Sequence, residues 1–134
     1  MRDSVGGTSE MPLLVNVLPA KNGHKFLFKI GERYYEAVKH REYSKGGGLA
    51  LRCQQFRTIQ PNGETCKHVL KVVNVSQTDR ERYPELYWRR ESWRVVRKDG
   101  LQHRHQCAGY SESAILHKVR REHLDGKLRK IKFQ

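Results

Sequence analysis

The chain is short of acidic side chains, of apolar runs and of cysteine, and each shortage excludes something. Asp and Glu number 14 against 27 Lys and Arg, a formal excess of +13, so the surface is built for an anionic partner, of which nucleic acid is the commonest. The longest apolar run is Met11-Pro12-Leu13-Leu14-Val15. It is far below the ~18 residues of a membrane span, and it is too short, and lacks the basic start, for a secretory leader. That argues against a membrane protein and against classical secretion. Three cysteines are an odd number, which argues against a closed disulfide framework. Apolar residues make up 37% of the 134 residues, below the ~45–50% of ordinary globular domains. So short and polar a chain buries a modest core, and a metal staple would help it.

What is present reads mainly as strand. Residues 1–10 are small and polar and read as a disordered linker; residues 11–109 form the domain; residues 110–134 form a basic helical extension. Leu13 to Leu18 is rich in Leu and Val and ends at Pro19, a turn follows at Lys21-Asn22-Gly23-His24, and Lys25 to Ile30 returns as a hairpin partner. Arg33 to His40, Leu49 to Phe56 and Cys66 to Val75 read as further strands, separated by Ser44–Gly48 and by Pro61-Asn62-Gly63. Residues 76–92 are irregular around Pro84. Trp93 to Lys98 and Leu101 to Cys107 flank an Asp99-Gly100 turn signal. At the end, Ser111 or Ser113 caps a helix expected to run to about Leu124 and stop at Gly126.

The chemistry sits in Cys53, Cys66, His103 and His105. Zinc takes four nitrogen and sulfur ligands in a tetrahedron. A hairpin brings the two thiols together, and like-facing strand positions about 7 Å apart let His103 and His105 converge on one ion. Cys107 shares that strand face and is a possible fifth candidate, expected to be dispensable. His68 shares a face with Cys66. His24, His40, His117 and His123 have no such partnership and are expected on the basic surface.

On these residues the sequence resembles the FLYWCH-type zinc finger family, relatives of the WRKY and glial-cells-missing DNA-binding domains. The similar stretch runs from about Leu14 to His105. It comprises Leu14–Leu18, Asn22-Gly23, Phe26-Leu27-Phe28, Gly31 with Tyr34-Tyr35, Ala50-Leu51-Arg52-Cys53, Cys66 with the alternation Lys67 to Val72, and the closing His103-Arg104-His105. Residues 76–92 stand as an insertion. The resemblance implies a small antiparallel sheet of four to five strands with one zinc pinning an end, followed here by the helix. It also implies that Val38 to Glu42, carrying Lys39, His40 and Arg41, reads double-stranded DNA, with Arg33, Arg52, Lys67 and Lys71 around it on phosphates.

The expected function is therefore a zinc-dependent DNA-binding domain of a nuclear transcription or chromatin regulator. The alternative is a protein-interaction module that selects chromatin or regulatory partners, with Tyr83, Leu86, Tyr87 and Trp88 as an exposed aromatic anchor. Two more basic groups, Arg89 to Arg104 and Lys118 to Lys132, favour the anionic partner. Trp93 is expected in the core. No Gly-rich phosphate loop, Gly-x-Ser-x-Gly elbow or His-Glu-x-x-His occurs, so neither an enzyme nor a small-molecule substrate is expected.

Overall fold

The structure is a computed structural model that describes residues 8, 11–20, 23–43, 48–75, 87–96 and 104–129, with side chains described up to Glu122. Six strands form one antiparallel meander, β1 (Leu13–Ala20), β2 (Gly23–Ile30), β3 (Arg33–Glu42), β4 (Gly48–Cys53), β5 (Val69–Asn74) and β6 (Trp93–Val95), each paired with its sequence neighbours. The sheet curls into a half-barrel, and one helix, α1 (Glu112–Arg129), follows it. The mainly β fold with a C-terminal helix is thus as the sequence implied, with six strands rather than four to five.

Period-two alternation sorts the strands into an inner and an outer face. Phe26, Phe28, Ala37, Leu49, Leu51, Leu70, Val72, Trp93 and Val95 point inward and form the core with Leu14, Val17 and Tyr87. Leu14 and Val17 are three residues apart, an odd spacing that regular alternation would split between the two faces. A bulge between Leu14 and Asn16 absorbs the extra residue, so that Leu14 pairs with Phe28 and Val17 with Phe26. The Asn16 Oδ1 accepts the Val17 N–H at 2.8 Å. Pro19 does not stop β1. It lies within the strand opposite His24, which β1 tolerates because it is the first strand of the sheet order, where a missing N–H breaks no ladder on the open side.

The core is aromatic at one end. Trp93 is buried, meets Phe26 edge-on at 5.5 Å and donates its indole N–H to the Tyr87 carbonyl at 2.8 Å. Tyr87 is buried against Trp93, and half-buried Trp88 stacks on His24 at 4.0 Å. These two aromatics therefore complete the core instead of standing out as an anchor. Tyr83 and Leu86 lie outside the described residues, as do the Asp99-Gly100 turn and the Ser44–Gly47 loop. Gly48, expected in that loop, opens β4.

Helix α1 begins where expected and ends later. The Ser111 hydroxyl accepts the Ala114 N–H at 3.2 Å, and the helix continues through Gly126 to Arg129. It docks on the outer face of β2 and β3 through Ile115, which is 2% exposed, and through an ion network. Buried Glu36 meets Lys25 at 3.1 Å and Lys118 at 2.9 Å, and Glu122 meets the same two lysines at 3.0 and 2.8 Å. Burial alone would pull Lys118 down, but its hydrogen bonds to Glu122 and Glu36 outweigh it and hold the ammonium above its ordinary range. Burial likewise opposes ionisation of Glu122, and the lysine hydrogen bonds overcome it and hold the carboxyl below its ordinary 4.5.

The network is neutral as a whole but does not tolerate losing its buried member. Glu36→Gln leaves two lysine charges to Glu122 alone and should lower the unfolding free energy by roughly 3 kcal/mol, whereas Glu122→Gln, on the exposed side, should cost less than about 1 kcal/mol. Because the folded Glu122 value is depressed, its contribution is complete above pH 4.5 and is lost as pH falls through the folded value. Denaturant melts of the two variants, and amide exchange of residues 112–122 across a pH series, check both statements.

Candidate metal centre

At the end of the sheet where β4 leaves and β5 enters, four side chains converge: Cys53, Cys66, His105 and Cys107, with their donor atoms all within 4.8 Å of one another. They arrive by three routes. Cys53 is the last residue of β4, paired with Ala37 and therefore inward-facing. Cys66 does not open a strand as expected. It lies in an irregular segment before β5, held by its N–H to the Gln55 carbonyl at 3.4 Å, and β5 starts only at Val69.

His105 and Cys107 lie on an irregular strap, 104–110, where a regular strand was expected. The strap is tied to the start of β3. Tyr34 and Tyr110 exchange two backbone hydrogen bonds, both at 2.8 Å. The Arg33 guanidinium donates to the carbonyls of Ala108 and Gly109 at 3.0 and 3.1 Å. Gly109 has φ +69°, and a Cβ there would stand 2.7 Å from the Tyr35 ring and 2.8 Å from the Tyr34 carbonyl. Only glycine lets the strap pass so close.

The distances fit one tetrahedral ion. Metal–sulfur bonds of about 2.3 Å and metal–nitrogen bonds of about 2.0 Å require sulfur–sulfur edges near 3.8 Å and sulfur–nitrogen edges near 3.5 Å. The Sγ atoms of Cys53 and Cys107 are 3.6 Å apart, and His105 Nδ1 lies 3.3 Å from Cys66 Sγ and 3.7 Å from Cys107 Sγ. All three cysteines are free thiols, at 1%, 0% and 8% exposure for Cys53, Cys66 and Cys107.

The surroundings complete the site. The Gln55 and Gln106 backbone N–H groups point at the Cys53 and Cys66 sulfurs at 3.5 and 3.3 Å, which favours thiolates. The hydrogen bond from Cys53 holds the Cys107 thiol down to about 4, aided by His105, while the same bond, together with burial, pushes the Cys53 thiol above its ordinary range. The His105 ring is stacked between Tyr35 and His68, at 3.9 Å from each, which fixes the plane in which its Nδ1 presents a lone pair. Soft, closed, buried donors of this kind could hold a metal ion.

No protein-family model, curated protein or solved structure matches this chain. The reading of the site therefore rests on geometry.

Three of the four expected ligands, Cys53, Cys66 and His105, are in the described group. His103 lies outside the described residues, and the fourth donor of the group is Cys107, which the sequence reading set aside. The signal that could have found it is the His105-x-Cys107 spacing, equal to that of His103-x-His105. His68, noted for sharing a face with Cys66, serves as a stacking plate for His105.

The expected DNA-contacting residues divide into groups. Arg33 is engaged by the strap. Lys67 is exposed next to the centre, its backbone N–H bonded to the Gln106 side chain at 2.7 Å. Lys39, His40 and Arg41 are exposed together on β3. Arg52 and Lys71 are half-buried on the outer face of β4 and β5. Arg52 lies 3.5 Å over the Phe56 ring, and Lys71 lies 4.2 Å from Tyr43, whose ring also meets Arg41 at 5.3 Å.

Two outcomes test the centre. Cys107→Ser should lose bound metal as completely as Cys53→Ser or Cys66→Ser, read by native mass spectrometry under reducing conditions. Gly109→Ala should displace the strap, costing roughly 2 kcal/mol or more and weakening metal retention against a chelator, because its strain falls two residues from a donor.

Proposed function

We propose that this chain is a zinc-stabilised domain that binds double-stranded DNA in the nucleus, in the service of transcription or chromatin regulation. Zinc fits the donor set: three thiolates and an imidazole in a closed tetrahedron leave no open position for substrate, which is the pattern of a structural ion rather than a catalytic one. The FLYWCH-type resemblance of the sequence supports the same reading.

The observation that carries DNA binding is the far end of β3. Pairing with β2 stops at Lys25–Val38, while β3 continues to Glu42 against β4. Lys39, His40 and Arg41 are therefore all exposed on a segment that runs on past its β2 partner. An extended ribbon fits the ~12 Å major groove, where Arg and Lys bond guanine O6 and N7. A bulge between Lys39 and Arg41 turns their side chains to opposite faces, Lys39 opposite Leu51 and Arg41 opposite Ala50, so the segment offers cations in more than one direction. The excess of +13 supplies the long-range attraction.

Selection from random duplexes should yield a preferred site. On that site Lys39→Ala or Arg41→Ala should cost roughly 1–3 kcal/mol, with little loss on a scrambled duplex. Removing the metal with a chelator should abolish binding and cooperative unfolding together. Equal losses on both duplexes would reduce this strand to electrostatic support and reject groove reading.

A further inference from the structure

A second basic surface borders the Lys39–Arg41 edge, meeting it at Arg41, which lies opposite Ala50 and 5.3 Å from the Tyr43 ring. Register places Arg52, Lys71 and Arg94 outward on β4, β5 and β6. The other outward positions of these strands are Gly48, Ala50, Val69 and Val73, so none of the outward positions is acidic. Helix α1 packs on the outer face over β2 and β3; beyond it Val69 is 50% exposed, while Gly48 and Ala50 are buried beneath the side chains around them.

Two features distinguish it from a merely solvated basic face. The first is aromatic. Arg52 lies over Phe56 at 3.5 Å, with Arg57 over the same ring at 5.0 Å, and Lys71 lies over Tyr43 at 4.2 Å. Cations fixed against rings in this way have already lost much of their side-chain freedom, and a guanidinium on a ring can take a base on its other plane. The second is the floor. Gly48 and Ala50 leave no side chain standing between these stacks, and a Cβ on Gly48 would come within 3.1 Å of Lys71 and 3.3 Å of Tyr43. Cations, rings, exposed Val69 and half-buried Val73 thus alternate over a shallow surface.

The shape selects the occupant. The core fills the inside of the curl, so this face is convex. A rigid duplex, itself convex, touches such a surface along a narrow line. A flexible unpaired strand can wrap it, with phosphates on the cations and bases on the rings and valines. We propose that the outer face of β4–β6 binds single-stranded nucleic acid, with Arg52, Lys71 and Arg94 on phosphates and with Tyr43 and Phe56 as the stacking base. This surface adjoins the groove-reading edge at Arg41 but uses different cations, so either can fail alone.

The test is fluorescence anisotropy of the full metal-loaded chain with labelled dT20, U20 and a random 20-base-pair duplex over a salt series. The combined Arg52→Gln, Lys71→Gln, Arg94→Gln variant should lose at least tenfold in affinity for the single strands. Its log–log salt slope should flatten by about 2, from three contacts at ~0.7 each, while duplex binding stays within about twofold. Phe56→Leu or Tyr43→Leu, which keep every charge, should each cost roughly tenfold on single strands. Lys71→Gln with Arg94→Gln, sparing the more enclosed Arg52, repeats the test should the triple variant lose its metal. Binding of U20 alone makes the occupant RNA, and binding of dT20 alone makes it DNA. Failure of the unaltered chain to bind either strand overturns the proposal, as do equal losses on single strands and duplex. Single-strand binding without duplex binding would uphold it and reject the groove-reading function.

Discussion

The pairing of Tyr34 with Tyr110 is the constraint on which the rest of the molecule depends. Two backbone hydrogen bonds and the Arg33 clamp hold a strap with little regular structure of its own against the first residues of β3. On one side of this knot the strap delivers His105 and Cys107 to the inward-facing Cys53 and to Cys66. On the other side the chain passes at once into Ser111, which caps α1 and directs it onto Glu36. The metal centre and the helix dock are thus two consequences of one tether, and they lie on opposite faces of the same strand, because Tyr35 points inward and Glu36 outward.

The two faces divide the work. The inner face is apolar and supplies the core. The outer face carries the charged positions among small and apolar ones, and their sign is managed differently along the sheet. Over β2 and β3 two lysines are matched by two carboxylates, one of them buried, so that a polar helix with a single deeply buried isoleucine can dock. Over β4 to β6 no carboxylate occupies an outward position, and two of the cations, Arg52 and Lys71, rest on aromatic rings instead. A chain carrying +13 thus places two carboxylates, Glu36 and Glu122, where they hold the helix, and none at an outward position of β4 to β6.

Much of this was legible in the sequence, and the failures have physical causes. Alternation and turn residues located five of the six strands closely, and the thiols with His105 announced a metal site. The inward Leu14–Val17 spacing was read as plain strand because a bulge leaves no residue signature beyond an odd interval. Cys66 and the strap were read as strand because alternating apolar and basic residues look the same whether the backbone is paired or merely extended, and Tyr34, the partner that holds the strap at Tyr110, lies far from it in sequence. Tyr87 and Trp88 looked like an exposed anchor because Pro84 and dense charge surround them, but the half-barrel is open along one end and needs those rings to fill it. Cys107 was set aside on a count of four ligands already complete. Arg33 looked like a phosphate contact because nothing local reveals two waiting carbonyls more than seventy residues away.

The order in which the donors are strung has a consequence for how the chain is made. Cys53 and Cys107 are 54 residues apart, and Cys66 and His105 are 39 apart. During synthesis, at ~5–20 residues per second, Cys66 emerges several seconds before Cys107, and in that interval the chain offers a two-thiol half-site with no strap to close it. The half-site must therefore wait for the strap, and the four donors meet only once Tyr110 has reached Tyr34. A nascent chain paused between β5 and the strap would carry Cys53 and Cys66 before the residues that close over them have been made.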